Sequence, residues 1–288
     1  MTRFLDVRVN PGGPPLATTV AVNQWTGQTY QSMSLTDLQN DIRGKDVLVG
    51  THGFNVNRSS GISSLSSWES LLQLGPNAIF VGLLWPGDSV WLHALSYPEE
   101  PKIADEAGQL VGPWIEQNFM GAASISFASH SLGARVVLEM ISLMTRQVRR
   151  CTLMAGAIDD TCLNTEFQSA AGKIGQISVL ASKKDAVLAD AFPLGNILGG
   201  IIASGHPWFH TALGRSGPAT PWPGNFRAPF EIPDSWSYGH KHYLEVDSIH
   251  PAILLPTDVP PQGTAKPAQG AAGWTEAWSA AFASTRFK

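Results

Sequence analysis

The sequence predicts an α/β protein: one domain over residues 1–288, with a mostly parallel central sheet and helices on both faces. Three observations lead there. A nearly continuous apolar run, the pattern of a strand covered on both faces, occurs at Asp46–Gly50, a second buried strand at Ala78–Trp85, an alternating apolar strand at Ser124–Ser129, and further strands at Cys151–Ala157 and Ile177–Ala181. Segments with helical apolar spacing alternate with several of them, which implies parallel strands joined by right-handed crossovers. Polar or Gly-containing motifs follow these runs, at the carboxyl ends where ligands bind in such sheets.

Taken in order, residues 3–9 and 18–24 alternate like strands and flank the loop Pro11–Pro15, so they predict an antiparallel start. The run at 46–50 ends in Thr51-His52-Gly53-Phe54-Asn55, and Leu65, Trp68, Leu71 and Leu72 mark a helix beyond it. The strand at 78–85 stops at Pro86-Gly87-Asp88. A helix near 101–119 carries Ile103, Ala107, Leu110, Val111, Trp114 and Ile115 on one stripe. Residues 190–238 break the alternation with aromatic, Gly- and Pro-rich segments, the composition of a lid-like excursion or of an irregular loop packed on the core. Residues 256–273 are low-complexity and expected as a flexible loop, with a C-terminal helix expected at 274–287.

Composition narrows the function. Charged residues are 15% of the chain and the net charge is −4, with no Lys/Arg run, so a nucleic-acid partner is not expected. No apolar run reaches membrane-spanning length, and Met1–Asp6 does not read as the start of a signal peptide; a soluble, cytoplasmic protein is the expectation. The two cysteines, Cys151 and Cys162, are too few for a disulfide scaffold and are expected at opposite ends of one strand, too far apart to bridge. Oligomeric state is not legible.

The chemistry concentrates at Ser129-His130-Ser131-Leu132-Gly133, between an apolar strand and the helical run that starts at Ala134. Small residues two away on either side of Ser131 permit a sharp strand-to-helix turn that projects the central hydroxyl, the geometry of a nucleophile elbow. Ser129 stands where glycine is usual. A serine hydroxyl needs a base, a group that orients the base, and donors for an oxyanion. Asp185, just past the strand at 177–181, is the favoured acid, although its position also suits a helix N-cap; Asp159 and Asp160 are the alternatives. The base must follow the acid in the Ser…Asp…His order. His240 is favoured because Gly239 precedes it in a tight loop, and His242 is its rival, with His250 third. His130 reads as a packing residue and His52 as a structural hydrogen-bonding one, while His93, His206 and His210 have no placement. Backbone N–H groups of Phe54 and Leu132 are the candidate oxyanion donors. No metal or organic cofactor is expected.

The ordered set His52-Gly53-Phe54-Asn55, Trp85-Pro86-Gly87-Asp88, Ser129-His130-Ser131-Leu132-Gly133, Ser182-Lys183-Lys184-Asp185 and Gly239-His240-Lys241-His242-Tyr243 resembles the α/β-hydrolase superfamily. Within it, the chain is similar to a bacterial esterase/lipase-like group of unknown function with patterns of the type H-G-[FY]-N, W-P, H-S-[ML]-G and G-H-x-x-Y. The likeness covers about residues 45–245. It implies Ser131, Asp185 and His240 as triad and Phe54 with Leu132 as oxyanion hole. Ser129 and the Lys241-His242 pair depart from the pattern, and the second keeps the histidine open. The implied activity is serine esterase or lipase chemistry on a small-molecule or lipid-like ester. An acyltransferase or amidase with the same triad, or a catalytically silent binding protein, are the competing expectations.

Overall fold

A computed structural model describes residues 1–9, 16–72, 74–87, 100–189, 211–227, 231–232, 234 and 237–243. The expected loop at 256–273 and C-terminal helix at 274–287 lie outside these residues, as does most of the expected excursion in its 190–210, 228–230, 233 and 235–236 portions.

Nine strands of the described residues form one sheet in the order β3-β2-β1-β5-β4-β6-β7-β8-β9. They are β1 (Thr2–Arg8), β2 (Leu16–Trp25), β3 (Tyr30–Ser32), β4 (Asp46–Thr51), β5 (Ala78–Leu84), β6 (Ser124–His130), β7 (Val148–Met154), β8 (Ile174–Leu180) and β9 (Phe226–Arg227). β1 to β3 pair antiparallel, as the alternating start predicts, and every other pair is parallel. Central strand β4 is buried at all six positions and β6 at all but its first, so the apolar Val47–Val49 of β4 is covered on both faces while β6 buries Ser126 and Ser129 beside Ile125, Phe127 and Ala128.

The helices are α1 (Leu35–Ile42), α2 (Arg58–Leu71), α3 (Glu100–Asn118), α4 (Gly133–Leu143) and α5 (Gln168–Lys173). From β4 the chain steps through α2 to β5 on one side, then through α3 back across to β6 on the other. With right-handed crossovers, that reversal sets α2 on one face and α3, α4 and α5 on the opposite face. α3 packs on α4, and α4 on α5. The α3–α4 approach depends on missing side chains: a Cβ at Gly108 would lie 2.7 Å from Glu139 Cβ, and one at Gly112 2.7 Å from Met140 O.

Sequence periodicity misses β3 and α1, although α1 carries its own start signal. Ser34 is an N-cap whose hydroxyl accepts from Asp37 N at 3.0 Å, and Leu38 and Ile42 are its buried pair. The strand expected at 151–157 begins and ends three residues earlier. Cys151 therefore lies inside β7 rather than at its head; both cysteines are buried and unbridged.

Candidate active site

The strand order reverses at β4, so the loops leaving β4 and β6 diverge and open a crevice at their carboxyl ends. Ser131 lies at that end of the sheet, one residue past β6, and is buried. Its backbone is left-handed, with φ 55°. Such a conformation costs a non-glycine residue on the order of 1–3 kcal/mol and persists only where surroundings enforce it. Here Ser131 N donates to Met154 O at 2.9 Å, and Ser131 O accepts from Ala157 N at 3.2 Å. The flanks must be small: a Cβ at Gly133 would lie 2.4 Å from His52 O. Ser129, at the usual glycine position, is fully buried, and its hydroxyl finds no hydrogen-bond partner among the described residues. Space admits that side chain, but one polar atom is left unsatisfied.

Helix α4 begins at once, and its N-cap residue is Leu132, which has no side-chain cap. No side chain therefore competes at this helix start, where Ala134 N and Arg135 N donate to Ser131 O and Leu132 O, and the positive end of the helix dipole is left to whatever stands beside the Ser131 hydroxyl. Facing this helix start is the loop after β4. A Cβ at Gly53 would meet Ser131 Cβ at 2.6 Å and Ser131 Oγ at 3.2 Å, so this loop touches the hydroxyl-bearing residue through bare backbone. The loop is braced from β5: Trp85 Nε1 donates to His52 O at 2.9 Å, the Trp85 and His52 rings stack at 5.8 Å, and Asn55 N donates to Gly87 O. Asn55 itself is left-handed at φ 58°. The Trp85-Pro86-Gly87 motif thus supports the loop; Asp88 lies outside the described residues.

His240 reaches the same hydroxyl from a 3₁₀ turn, His240–Tyr243. Its Nε2 is 2.8 Å from Ser131 Oγ, and its Nδ1 is 2.8 Å from Asp185 Oδ2. Asp185 is fully buried at the end of the β8 loop, and its other oxygen accepts from Leu188 N at 3.0 Å. One carboxylate therefore serves both roles considered for it, capping the helical turn at 186–189 and holding the imidazole. Arg215, in the short helix Leu213–Ser216, donates from Nη1 to the carbonyls of Lys183 and Asp185 at 2.8 and 3.0 Å. No local motif announces that role.

The other candidate acids bond elsewhere. Asp160 accepts from Thr211 Oγ1 at 2.8 Å, and Asp159 Oδ1 accepts from Thr161 N and Oγ1; neither contacts His240 in these bonds. His242 belongs to the 3₁₀ turn, but its side chain is outside the description, as are His93, His206, His210 and His250. His52 directs Nδ1 to Gly53 O at 2.9 Å, and burial pulls its pKa down to about 3. His130 is likewise lowered to about 3, by burial first and then by the neighbouring His240. Both imidazoles are thus neutral around pH 7. Among the described residues no cluster of three or more His, Cys, Asp or Glu could hold a metal ion, and no helix is long and apolar enough to cross a membrane.

A doubly wound, mostly parallel sheet with a serine elbow at its switch point defines an α/β-hydrolase. The family described as "Alpha/beta hydrolase of unknown function (DUF900)" matches residues 29–217, more than half of the chain, and the chain belongs to that family. The matched range contains Ser131 and Asp185, whereas His240 lies beyond it. No curated protein matched the chain.

Proposed function

We propose that this protein is a serine hydrolase that cleaves carboxylic esters through an acyl-enzyme, with Ser131 as nucleophile, His240 as base and Asp185 as the group that orients the base. The observation that carries the reading is the continuous contact Asp185 Oδ2–His240 Nδ1 and His240 Nε2–Ser131 Oγ, each 2.8 Å, at the carboxyl end of the sheet. With Nδ1–H held by the carboxylate, Nε2 is the free base. It takes the Ser131 proton as Oγ adds to the ester carbonyl. The negative charge developing on the carbonyl oxygen falls to the N–H groups of Leu132 and Phe54, and preorganised donors of this kind each contribute about 3–4 kcal/mol to the barrier reduction. His240 then returns the proton to the departing alcohol. Water, deprotonated by the same nitrogen, releases the acid.

Fluorophosphonate labelling tests the reading. The folded wild type should label on Ser131, and Ser131→Ala should not. Hydrolysis of p-nitrophenyl esters of increasing acyl length should fall by roughly a millionfold in Ser131→Ala. It should collapse in His240→Ala and survive in His242→Ala. A folded wild type that neither labels nor hydrolyses would turn the reading over to a binding protein on the same fold. Product partition toward an added alcohol over water would instead mark an acyltransferase.

A further inference from the structure

The proposed base stands on a 3₁₀ turn of four residues, so regular secondary structure does little to fix it. A general base nevertheless has to stay within hydrogen-bond reach of its proton, and a displacement of about 1 Å costs roughly 100-fold. Two side chains outside the triad bond to the backbone of this segment. His130 Nε2 lies 2.6 Å from the carbonyl oxygen of His240 itself. Ser182 Oγ donates to the carbonyl oxygen of Tyr238, also at 2.6 Å, while accepting from Lys184 N at 3.2 Å. A carbonyl can only accept, so His130 carries its proton on Nε2 and is the donor. Both donors are buried.

Their chain positions matter as much as their bonds. His130 immediately precedes Ser131, and the peptide between them is the one whose N–H is pinned to Met154 O. Ser182 lies three residues before Asp185 in the loop that Arg215 ties down. The backbone that aims the nucleophile thus also aims a donor at the base, and the backbone that aims the acid aims another. Packing reinforces the first grip: the His130 ring lies 4.9 Å from the His240 ring and 5.9 Å from that of Tyr243.

We propose that His130 and Ser182 are positioning residues, a two-point clasp on the carbonyls of His240 and Tyr238 that sets the distance from His240 to both Ser131 and Asp185. Neither touches the reacting atoms. The proposal rests on the triad reading above, and its own signature is a loss of turnover without a matching loss of binding or of fold.

The test compares His130→Phe, which keeps an aromatic ring against His240 and Tyr243 but removes the donor, with His130→Gln, which restores an N–H at similar reach. Ser182→Ala removes only a hydroxyl and supplies the same test should His130→Phe fail to fold. The readouts are kcat and KM on p-nitrophenyl acetate and the low-field NMR resonance of the His240 Nδ1 proton shared with Asp185, which needs no turnover. For His130→Phe, kcat should fall about 10- to 100-fold with KM within about twofold, and the resonance should shift or vanish. His130→Gln should recover most of the rate, and Ser182→Ala should lose about tenfold. Unchanged kcat and resonance in His130→Phe or, if that variant does not fold, in Ser182→Ala would overturn the clasp, as would a His130→Gln as impaired as His130→Phe. Wild-type protein that labels normally with fluorophosphonate while the variants are silent on both readouts loses the clasp alone. Wild type that does not label loses the triad.

Discussion

Substituting Gly53 by alanine probes how closely the β4 loop is set against the proposed nucleophile, Ser131. The added Cβ would stand 2.6 Å from Ser131 Cβ, 3.1 Å from His130 O and 3.2 Å from Ser131 Oγ. Carbon atoms rest about 3.5–4.0 Å apart, so the loop and the elbow must separate by roughly 1 Å. The elbow has little freedom to yield, because Ser131 N and O are both bonded and Gly133 is pressed on His52 O. The shift therefore falls on the β4 loop, which carries the Phe54 N–H. Misplacing this proposed oxyanion donor by that distance should lower kcat about 100- to 1,000-fold. Overpacking should cost about 1–3 kcal/mol of stability. Gly172→Ala is the control: it lies in α5, and nothing stands within 4 Å of the added atom. Its rate should match the wild type, with stability equal or higher by up to about 1 kcal/mol. The assay is ester hydrolysis beside urea unfolding of both variants. Gly53→Ala hydrolysing within threefold of wild type would refute the reasoning, since either the contact or its relevance to the hydroxyl would be wrong.

Asp185→Asn should keep the fold, because the remaining oxygen can still accept from Leu188 N, yet lose about 10⁴ in kcat by favouring the wrong imidazole tautomer; steady-state kinetics on a folded variant checks this. Acid should destabilise the protein through its neutral buried histidines. His52 and His130 titrate near 3 in the fold against about 6.5 unfolded, so above that pH neither state binds the extra proton and nothing changes. Below it the unfolded chain takes up protons that the fold refuses, and stability falls by up to about 1.4 kcal/mol per pH unit for each ring until the folded values are reached. Glu69 and Asp105, whose carboxyls burial raises, act in the opposite sense in every variant, so the measurement is a difference. Urea unfolding from pH 7 to 4 should show a shallower loss in His130→Gln than in wild type, and parallel curves would contradict the assignment. Burial raises both thiols, and negative charge at Asp159 adds to the rise at Cys162. Folded protein at pH 8 should therefore leave Ellman's reagent unreacted over minutes, whereas denatured protein should titrate two thiols.

Much of the fold was written along the chain because its signals are local. A strand covered on both faces tends to a continuous apolar run, so β4 and β5 announce themselves without reference to their neighbours. The elbow is equally local: five consecutive residues specify a turn that only small flanks allow, and Ser131 occupies its left-handed centre. Elements with weaker local signals escaped, as with three-residue β3, whose pairing to β2 is its main reason to exist, and α5, six residues long with no side-chain cap.

The partners of Ser131 were decided otherwise. The chain order Ser…Asp…His left His240 beside His242 and Asp185 beside Asp160, because a motif states which residue types are needed but not which side chain reaches. In the tertiary structure Asp185 Oδ2 meets His240 Nδ1 from the β8 loop, while Asp160 Oδ2 accepts from Thr211 Oγ1. His240 meets Ser131 across 109 residues, and His130 meets the His240 carbonyl across 110. Contacts that span such intervals depend on how loops from different strands close over one edge of the sheet. Apolar runs and small flanks are properties of neighbouring residues and can be read along the chain. A hydrogen bond of 2.8 Å between loops exists only once the sheet has set the distance between them.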